Sequence, residues 1–492
     1  MQNRIPFNPA SLLTKNVLQT GIFLFLSVIF AYLLADGSII IGIIAIGAIM
    51  GISLVVACIT NLRFGLVAVI VAAFLVNGIK RIIWMYPEIP VGTVVDLLAA
   101  VIFLVVLLKN RSEGKYKIMT NFFSVMIIMF FLYNVLQVIN PNIISRSAWL
   151  VTIRGQFTAI LTYFIAVNVI DSLKTATFFI KLFLFLALAM ALYGLYQEFF
   201  GWLPFEAQWL ASDFKTAQRY FTFGRWRRFS FMPDPMSFGV LMAFTGTMCL
   251  VLFFGPFTRK RKIQLGLLTA IMFWAMLYTG TRTAYVLIPA GFVFFALITL
   301  KREILIAVGA GLLGLVALII LPTNNPTIFI LKTSFMGSKD PSYMVRVRNQ
   351  ALIKPIIRSN PFGAGLGTTG IIGSRFSPNS FLAKFPPDSE LVRIAIEQGW
   401  IGLAIYLLML FAALKLGIDG YFICKDPRIK IYYVALLSAL FMVIVANYPQ
   451  EVMQITIQVF FGTTAALFTR MKDFDIYLHP ELKESEQEQL PY

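Results

Sequence analysis

PPDSELVRIAIEQGWIGL, Pro386–Leu403, closes the longest polar interval of the chain and runs straight into an apolar segment. The interval it closes, Pro322 to about Gln398, interrupts a sequence otherwise built of apolar runs. It carries Arg346, Arg348, Lys354 and Arg358, then the glycine-punctuated NPFGAGLGTTG of Asn360–Gly370. A membrane protein that keeps one large, basic, glycine-rich loop on one face is expected to do its chemistry there.

The surrounding sequence sets the class. With 59% hydrophobic and 13% charged residues and a mean hydropathy of +0.81, this is not an ordinary soluble domain. The 47 Phe and repeated apolar runs of roughly 17–22 residues predict an all-α polytopic membrane protein. The alternation of a transmembrane barrel is absent. The net charge of +18 lies largely in short loops between apolar runs, where the positive-inside effect explains it, so no nucleic-acid partner is expected. Cys58, Cys249 and Cys424 are far apart in or beside apolar runs, which argues against a disulfide framework or a thiolate metal site. The single histidine, His479, sits in the tail and leaves the core without the usual metal ligand and general base. The first apolar run, from about Val17, is long enough to span and lacks a cleavage site, so no cleaved signal peptide is expected.

Apolar spans are expected at roughly 17–35, 38–59, 64–79, 93–108, 118–139, 155–170, 178–199, 237–255, 263–280, 283–300, 304–321, 399–417, 431–447 and 453–469, about fourteen in all. Lys109 to Lys117, the run Arg259–Lys262, Lys301 with Arg302, Lys425 to Lys430, and Arg470 with Lys472 then fall on one face, which is cytoplasmic together with both termini. Loops 200–236 and 322–398 face outward. Residues 1–472 read as a single membrane domain, followed by a short acidic tail, 473–492, expected to be disordered. Asp96 and Glu198 fall at or near span ends, where interfacial solvation is the simplest reading.

Outward basic residues need another explanation. Loop 200–236 holds Lys215, Arg219, Arg225, Arg227 and Arg228 against Glu206, Asp213 and Asp234, and loop 322–398 holds nine Lys plus Arg against four Asp plus Glu. An anionic substrate offered from the membrane accounts for them, because a guanidinium donates bidentately to phosphate and stays charged. Contact with headgroups or solvent is the bland alternative. Arg282, in TGTRTAY (Thr279–Tyr285), is the sharpest case: its connection is too short to be a solvated loop, so it is expected at the membrane boundary, pointing into the bundle. Snorkelling is the competing reading.

Within Arg227–Gly239, RRFSFMPDPMSFG, Asp234 either orients a neighbouring arginine or begins the following helix. Gly363, Gly365, Gly367 and Gly370 do not form a dinucleotide fingerprint; close backbone packing against the bundle is the better reading. Asp388 is either an N-cap or a general base near the arginines. Glu390 is the fallback base, although its spacing to Arg393 suggests a surface pair.

Four of these segments resemble, in order, motifs of the O-antigen ligase and polysaccharide polymerase superfamily. TGTRTAYV resembles its Ser/Thr-x-Ser-Arg-Gly signature, and RRFSFMPDPMSFG its Arg-x-x-Gly-x-Phe-x-Asn/Asp-Pro-Asn segment. Arg346 to Gly367 resembles its Arg…Ala-Leu…Asn-Pro-Phe-Gly-x-Gly loop, and DSELVRIAIEQGWIGL its His-Asn-x-Tyr-Leu-x-x-x-x-Glu-x-Gly-x-x-Gly close. Together they cover about residues 220–417; the first two hundred residues match only as generic spans. The resemblance implies a GT-C-like membrane glycosyltransferase of the bacterial inner membrane. Its donor would be a glycan on undecaprenyl diphosphate, used at the periplasmic face without nucleotide sugar, metal or other cofactor. Its acceptor would be a glycan or lipid, with a chain-length regulator or other assembly protein as partner.

Carried over, Arg282 matches the hairpin arginine, and Arg228 and Arg346 match the loop arginines, with Arg227 and Arg348 one or two places away. Asp388 stands where ligase members most often carry histidine, which places polymerase ahead of ligase and raises Asp388 as the base. Two readings of another kind compete, a lipid-linked oligosaccharide flippase and a small-solute transporter. A flippase is expected to show related halves, charges within central spans and short outer loops. This chain has one large outer loop and boundary arginines.

Overall fold

The computed structural model describes residues 39–86, 91–113, 120–212, 217–218, 220–222, 224–320, 326–335 and 341–478. The expectations for the first span, for His479, for Asp213, Lys215 and Arg219, and for the tail beyond residue 478 lie outside these residues. The chain divides into two compact units, Met1–Gly65 and Leu66–Tyr492. In the first, helix α1 (Ile39–Thr60) coincides with the second expected span, and Asn61 starts the next helix by accepting the amides of Arg63 and Phe64.

The second unit is a bundle of long apolar helices. Ten helices among the described residues are long and apolar enough to cross a membrane, which makes the chain an all-α multi-pass membrane protein. Of the other four expected spans, one lies outside the described residues and α1 is the second. Helix α9 (Arg259–Leu277) opens on four basic residues, and α18 (Ile455–Arg470) has 16 residues. These are helical where expected but fall outside the ten. Two spans begin nine residues before their expected starts. Helix α5 (Arg146–Val169) begins where it does because Ser145 caps it, accepting from the Ala148 amide. Helix α16 (Glu390–Ile423) begins inside the polar interval and continues for 34 residues through a break at Gly399.

At the centre lies α8 (Pro235–Phe253), buried all round by α9, α10 (Arg282–Thr299) and α17 (Pro427–Ala446). Lipid supplies little drive for helices to associate, so close approach of backbones matters. A Cβ on Gly246 would sit 2.5 Å from the Phe273 ring, and one on Gly291 2.5 Å from the Met442 sulfur.

The described parts of the two long polar loops, 200–236 and 322–398, pack against this bundle. In the first, the short helix α7 (Pro204–Ala211) and a two-residue ribbon, β1 (Phe221–Thr222) with β2 (Arg225–Trp226), surround Phe229. Buried Arg81 from α2 (Leu62–Ile82) donates to the Ser230 carbonyl at 2.6 Å and lies over the Phe229 ring. In the second, α13 (Pro341–Ser359) leads into the glycine-rich loop. That loop packs backbone to backbone on α16, as the sequence suggested: Ala364 and Gly365 donate to the carbonyls of Ile396 and Glu397, both at 2.9 Å. Gly363 and Gly399 meet so closely there that a Cβ on either would overlap the other's backbone. Both have positive φ, which a side chain would strain further.

Candidate active site

The hairpin at Tyr278–Thr281 shapes the site. Gly280, at φ +58, turns the chain within two residues, so Arg282 becomes the first residue of α10. The hairpin is gripped from both sides. Arg227 donates from Nε to the Thr279 carbonyl at 2.7 Å and from Nη2 to Thr281 Oγ1 at 3.1 Å; Thr281 donates in turn to the Pro235 carbonyl at 2.9 Å. Opposite, Gln450 Nε2 donates to Thr283 Oγ1 at 2.9 Å.

A cleft of about 970 Å³ opens against this hairpin. Arg227, Arg282 and Arg346 all line it, with Thr283, Tyr448 and Gln450, and its lining among the described residues includes no Asp or Glu. The start of α10 lies at the cleft as well, adding the positive end of a helix dipole. Burial lowers the pKa of Arg227, and Arg282 acts in the same direction while Asp234 opposes it. Three guanidinium groups lining one cleft with partial loss of water make its electrostatics suited to an anion.

The arginines named from sequence separate here. Arg228, one residue from Arg227, turns away and pairs with Glu198 at 2.6 Å, stacked over Trp202. Arg346 lines the cleft, but Arg348 is exposed and outside it, because two residues turn a helix by about 200°. Glu198 is therefore an ion-pair partner rather than a solvated end group. The same correction applies to Asp96, which is buried, pairs with Arg154 at 3.0 Å and accepts from Thr158 at 2.6 Å. Asp234 is the N-cap of α8, accepting from the Ser237 amide at 2.8 Å and its hydroxyl at 3.0 Å, so it begins the helix, and its charge also acts on Arg227.

Asp388 lies one turn of α13 away from the cleft. Asn349, three residues after Arg346, donates to its Oδ2 at 3.3 Å. Partial desolvation raises its carboxyl above the ordinary range, against the pull of Arg346 and Asn349. Its backbone is in the left-handed region at φ +50, a conformation that costs energy and clusters at functional sites. Asp388 is not the N-cap of α16. Ser389 takes that position, accepting from the Val392 amide at 3.4 Å. The shift of one residue leaves the Asp388 carboxyl outside the cap.

Glu390 is not half of a surface pair but part of a buried cluster. Arg393 bonds Glu390, lies 3.5 Å from Glu397 Oε2 and 3.7 Å from Glu451 Oε2. Glu397 also accepts from the hydroxyl of Thr369 at 2.7 Å, tying the glycine-rich loop to α16. Burial pushes the Glu451 carboxyl up to about 7; Arg393 opposes this, and Glu390, Glu397 and Asp388 reinforce it. Sequence reading missed Glu451 and Asn349, and gave Arg393 only Glu390 as a partner. A carboxylate in the short connection between the last two spans, directly after Pro449-Gln450, was the available signal. The segment Asn447–Glu451 links cleft and cluster: its carbonyls at Asn447 and Gln450 accept the Glu390 amide at 3.0 and 3.1 Å.

Among the described residues, no group of three or more His, Cys, Asp or Glu side chains is arranged to hold a metal ion. Residues 267–407 match the family model described as O-Antigen ligase, Wzy_C. That is the superfamily the motifs resemble, and the match supports a membrane enzyme of ligase or polymerase type. The matched stretch contains Arg282, Arg346, Arg348, Asp388 and Glu390, whereas Arg227, Arg228, Asp234 and Glu451 lie outside it. No curated protein matches the chain.

Proposed function

We propose that this chain is a membrane glycosyltransferase that moves a glycan from a polyprenyl diphosphate, undecaprenyl diphosphate in bacteria, to an acceptor hydroxyl at the outer face of the inner membrane. The observation that carries this reading is the single cleft lined by Arg227, Arg282 and Arg346 without a carboxylate in its lining. A second cavity, about 530 Å³ and almost wholly apolar, lies along α10, α11 (Arg302–Ile320) and α12 (Pro326–Ser334). Helices α10 and α12 wall both cavities, through Tyr285 and Leu331 on one side and Leu287 and Ser334 on the other. A headgroup among the arginines with its isoprenoid tail in the apolar groove fits this pairing.

In the proposed reaction the acceptor oxygen bonds to the anomeric carbon as the bond from that carbon to the diphosphate breaks. The electron pair leaves on the diphosphate, where Arg282, Arg227 and Arg346 meet the growing charge. Asp388 takes the acceptor's proton, a task suited to a carboxylate whose pKa is raised. The description of the matched family favours the ligase, with attachment to a lipid core or other acceptor. Polymerisation is the second reading, kept by Asp388 standing at the position where ligases most often carry histidine. Purified protein supplied with a lipid-linked glycan and an acceptor should transfer the glycan without an ion gradient. Arg282→Ala should lower that rate by about 10²–10³-fold, with little rescue by Arg282→Lys. Movement of the glycan across vesicles without any transfer would instead make the chain a flippase. In cells lacking the gene, free lipid-linked polymer would mark a ligase and single-repeat surface chains a polymerase.

A further inference from the structure

A second charged cavity lies far from the arginine cleft. About 350 Å³ of space separates α6 (Leu173–Phe199) from α9, with Tyr432 of α17 at its edge. Its lining has two parts. Lys181, Arg261 and Gln264 form a polar mouth, and Leu184, Leu188, Leu265 and Leu268 continue it as an apolar trough. Both helices start at the mouth end, so the trough runs about 10 Å deeper along α6, from Lys181 to Leu188. The lining among the described residues contains two cations and no carboxylate. The remainder of the run Arg259–Lys262 adds to the positive field at the same helix end. Phe185 of the lining is exposed, as are Leu192, Ile263 and Leu267 on the same two helices, as side chains facing acyl chains would be.

We propose that this groove holds an anionic phospholipid, its phosphate between Lys181 and Arg261 and an acyl chain along the leucines. Charge complementarity selects the headgroup: two cations beside an apolar trough at membrane depth match a phosphodiester with hydrocarbon attached, whereas a soluble anion would leave the trough unfilled. The occupant is not the glycan donor. Arg261 and the hairpin end of α9 at Leu277 are 16 residues apart, about 24 Å along the helix. The inference does not depend on the transferase reading, because it uses none of the cleft residues.

The test uses the full-length protein in detergent, titrated with dioleoylphosphatidylglycerol, dioleoylphosphatidylcholine or inorganic phosphate. Thermal unfolding and native mass spectrometry report occupancy. Phosphatidylglycerol should bind and raise the unfolding temperature, and the other two should not. Lys181→Ala with Arg261→Ala should weaken phosphatidylglycerol binding by roughly thirtyfold, given the usual worth of two cations near a lipid surface. Arg259→Ala with Lys260→Ala removes the same charge outside the lining and should change binding less than about twofold. Leu188→Trp with Leu265→Trp keeps both cations and should also abolish binding by filling the trough. Equal loss in both alanine pairs would reduce the effect to a general surface field and overturn the site. So would equal stabilisation by inorganic phosphate, or binding that survives the tryptophans.

Discussion

Two arginine sites flank the segment Asn447–Glu451, and their charge balance is opposite. On one side Arg227, Arg282 and Arg346 share a cleft whose lining has no Asp or Glu. On the other, a single Arg393 is surrounded by Glu390, Glu397 and Glu451. The first gathers three cations at one open cleft. The second has its cation oversubscribed from within, and its function is to join α16, the glycine-rich loop and the last connection. The same residue type thus lines an open cleft or sits in a buried cluster according to the carboxylates the chain brings beside it.

The comparison breaks most visibly at Arg393. Arg393→Ala leaves three carboxyls without their cation, and should cost about 3–5 kcal/mol of stability, read from thermal or denaturant unfolding in detergent. The cleft arginines should behave the other way. Arg227→Ala should lower transfer by about 10²–10³-fold, part of it through the hairpin that Arg227 holds at Thr279 and Thr281, whereas Arg228→Ala should lower stability and leave transfer within about twofold in the same assay. A similar loss of transfer in both variants would erase the distinction between the two neighbours. Asp388→Asn should lower transfer by about 10²-fold or more with Asp388→Glu retaining most of it; wild-type rates in the asparagine variant would remove the base.

The smallest effect concerns proton balance in the carboxylate cluster. The Glu451 carboxyl rises from an ordinary 4.5 to about 7, so the native state holds its proton more tightly than the unfolded chain does. Stability from this group is therefore greatest below about 4.5 and falls as pH rises towards 7. Asp388, shifted in the same direction, acts with the same sign. Unfolding midpoints measured across that window should fall with pH in the wild type and flatten in Glu451→Gln.

The sequence made the bundle legible because apolar length is a local property. Arg282 was legible for a similar reason, since a four-residue turn between two spans leaves its side chain few places to go. What could not be read was register. Whether Arg227 or Arg228, Arg346 or Arg348, faces the cleft depends on a rotation of one or two residues, and on Glu198 waiting at the end of α6. The cap of α16 fell on Ser389 rather than Asp388 by the same margin. The Arg393 cluster joins residues from position 390 to 451, a pairing that one-dimensional spacing does not reveal beyond Glu390 and Glu397 on their own helix.

Whether the cleft arginines grip a diphosphate is decided by equilibrium binding of undecaprenyl diphosphate to the purified protein. Binding should weaken at least about tenfold, or 1.4 kcal/mol, in Arg282→Ala and in Arg346→Ala, and stay at the wild-type value in Arg348→Ala. Identical affinity in all four proteins would contradict the account.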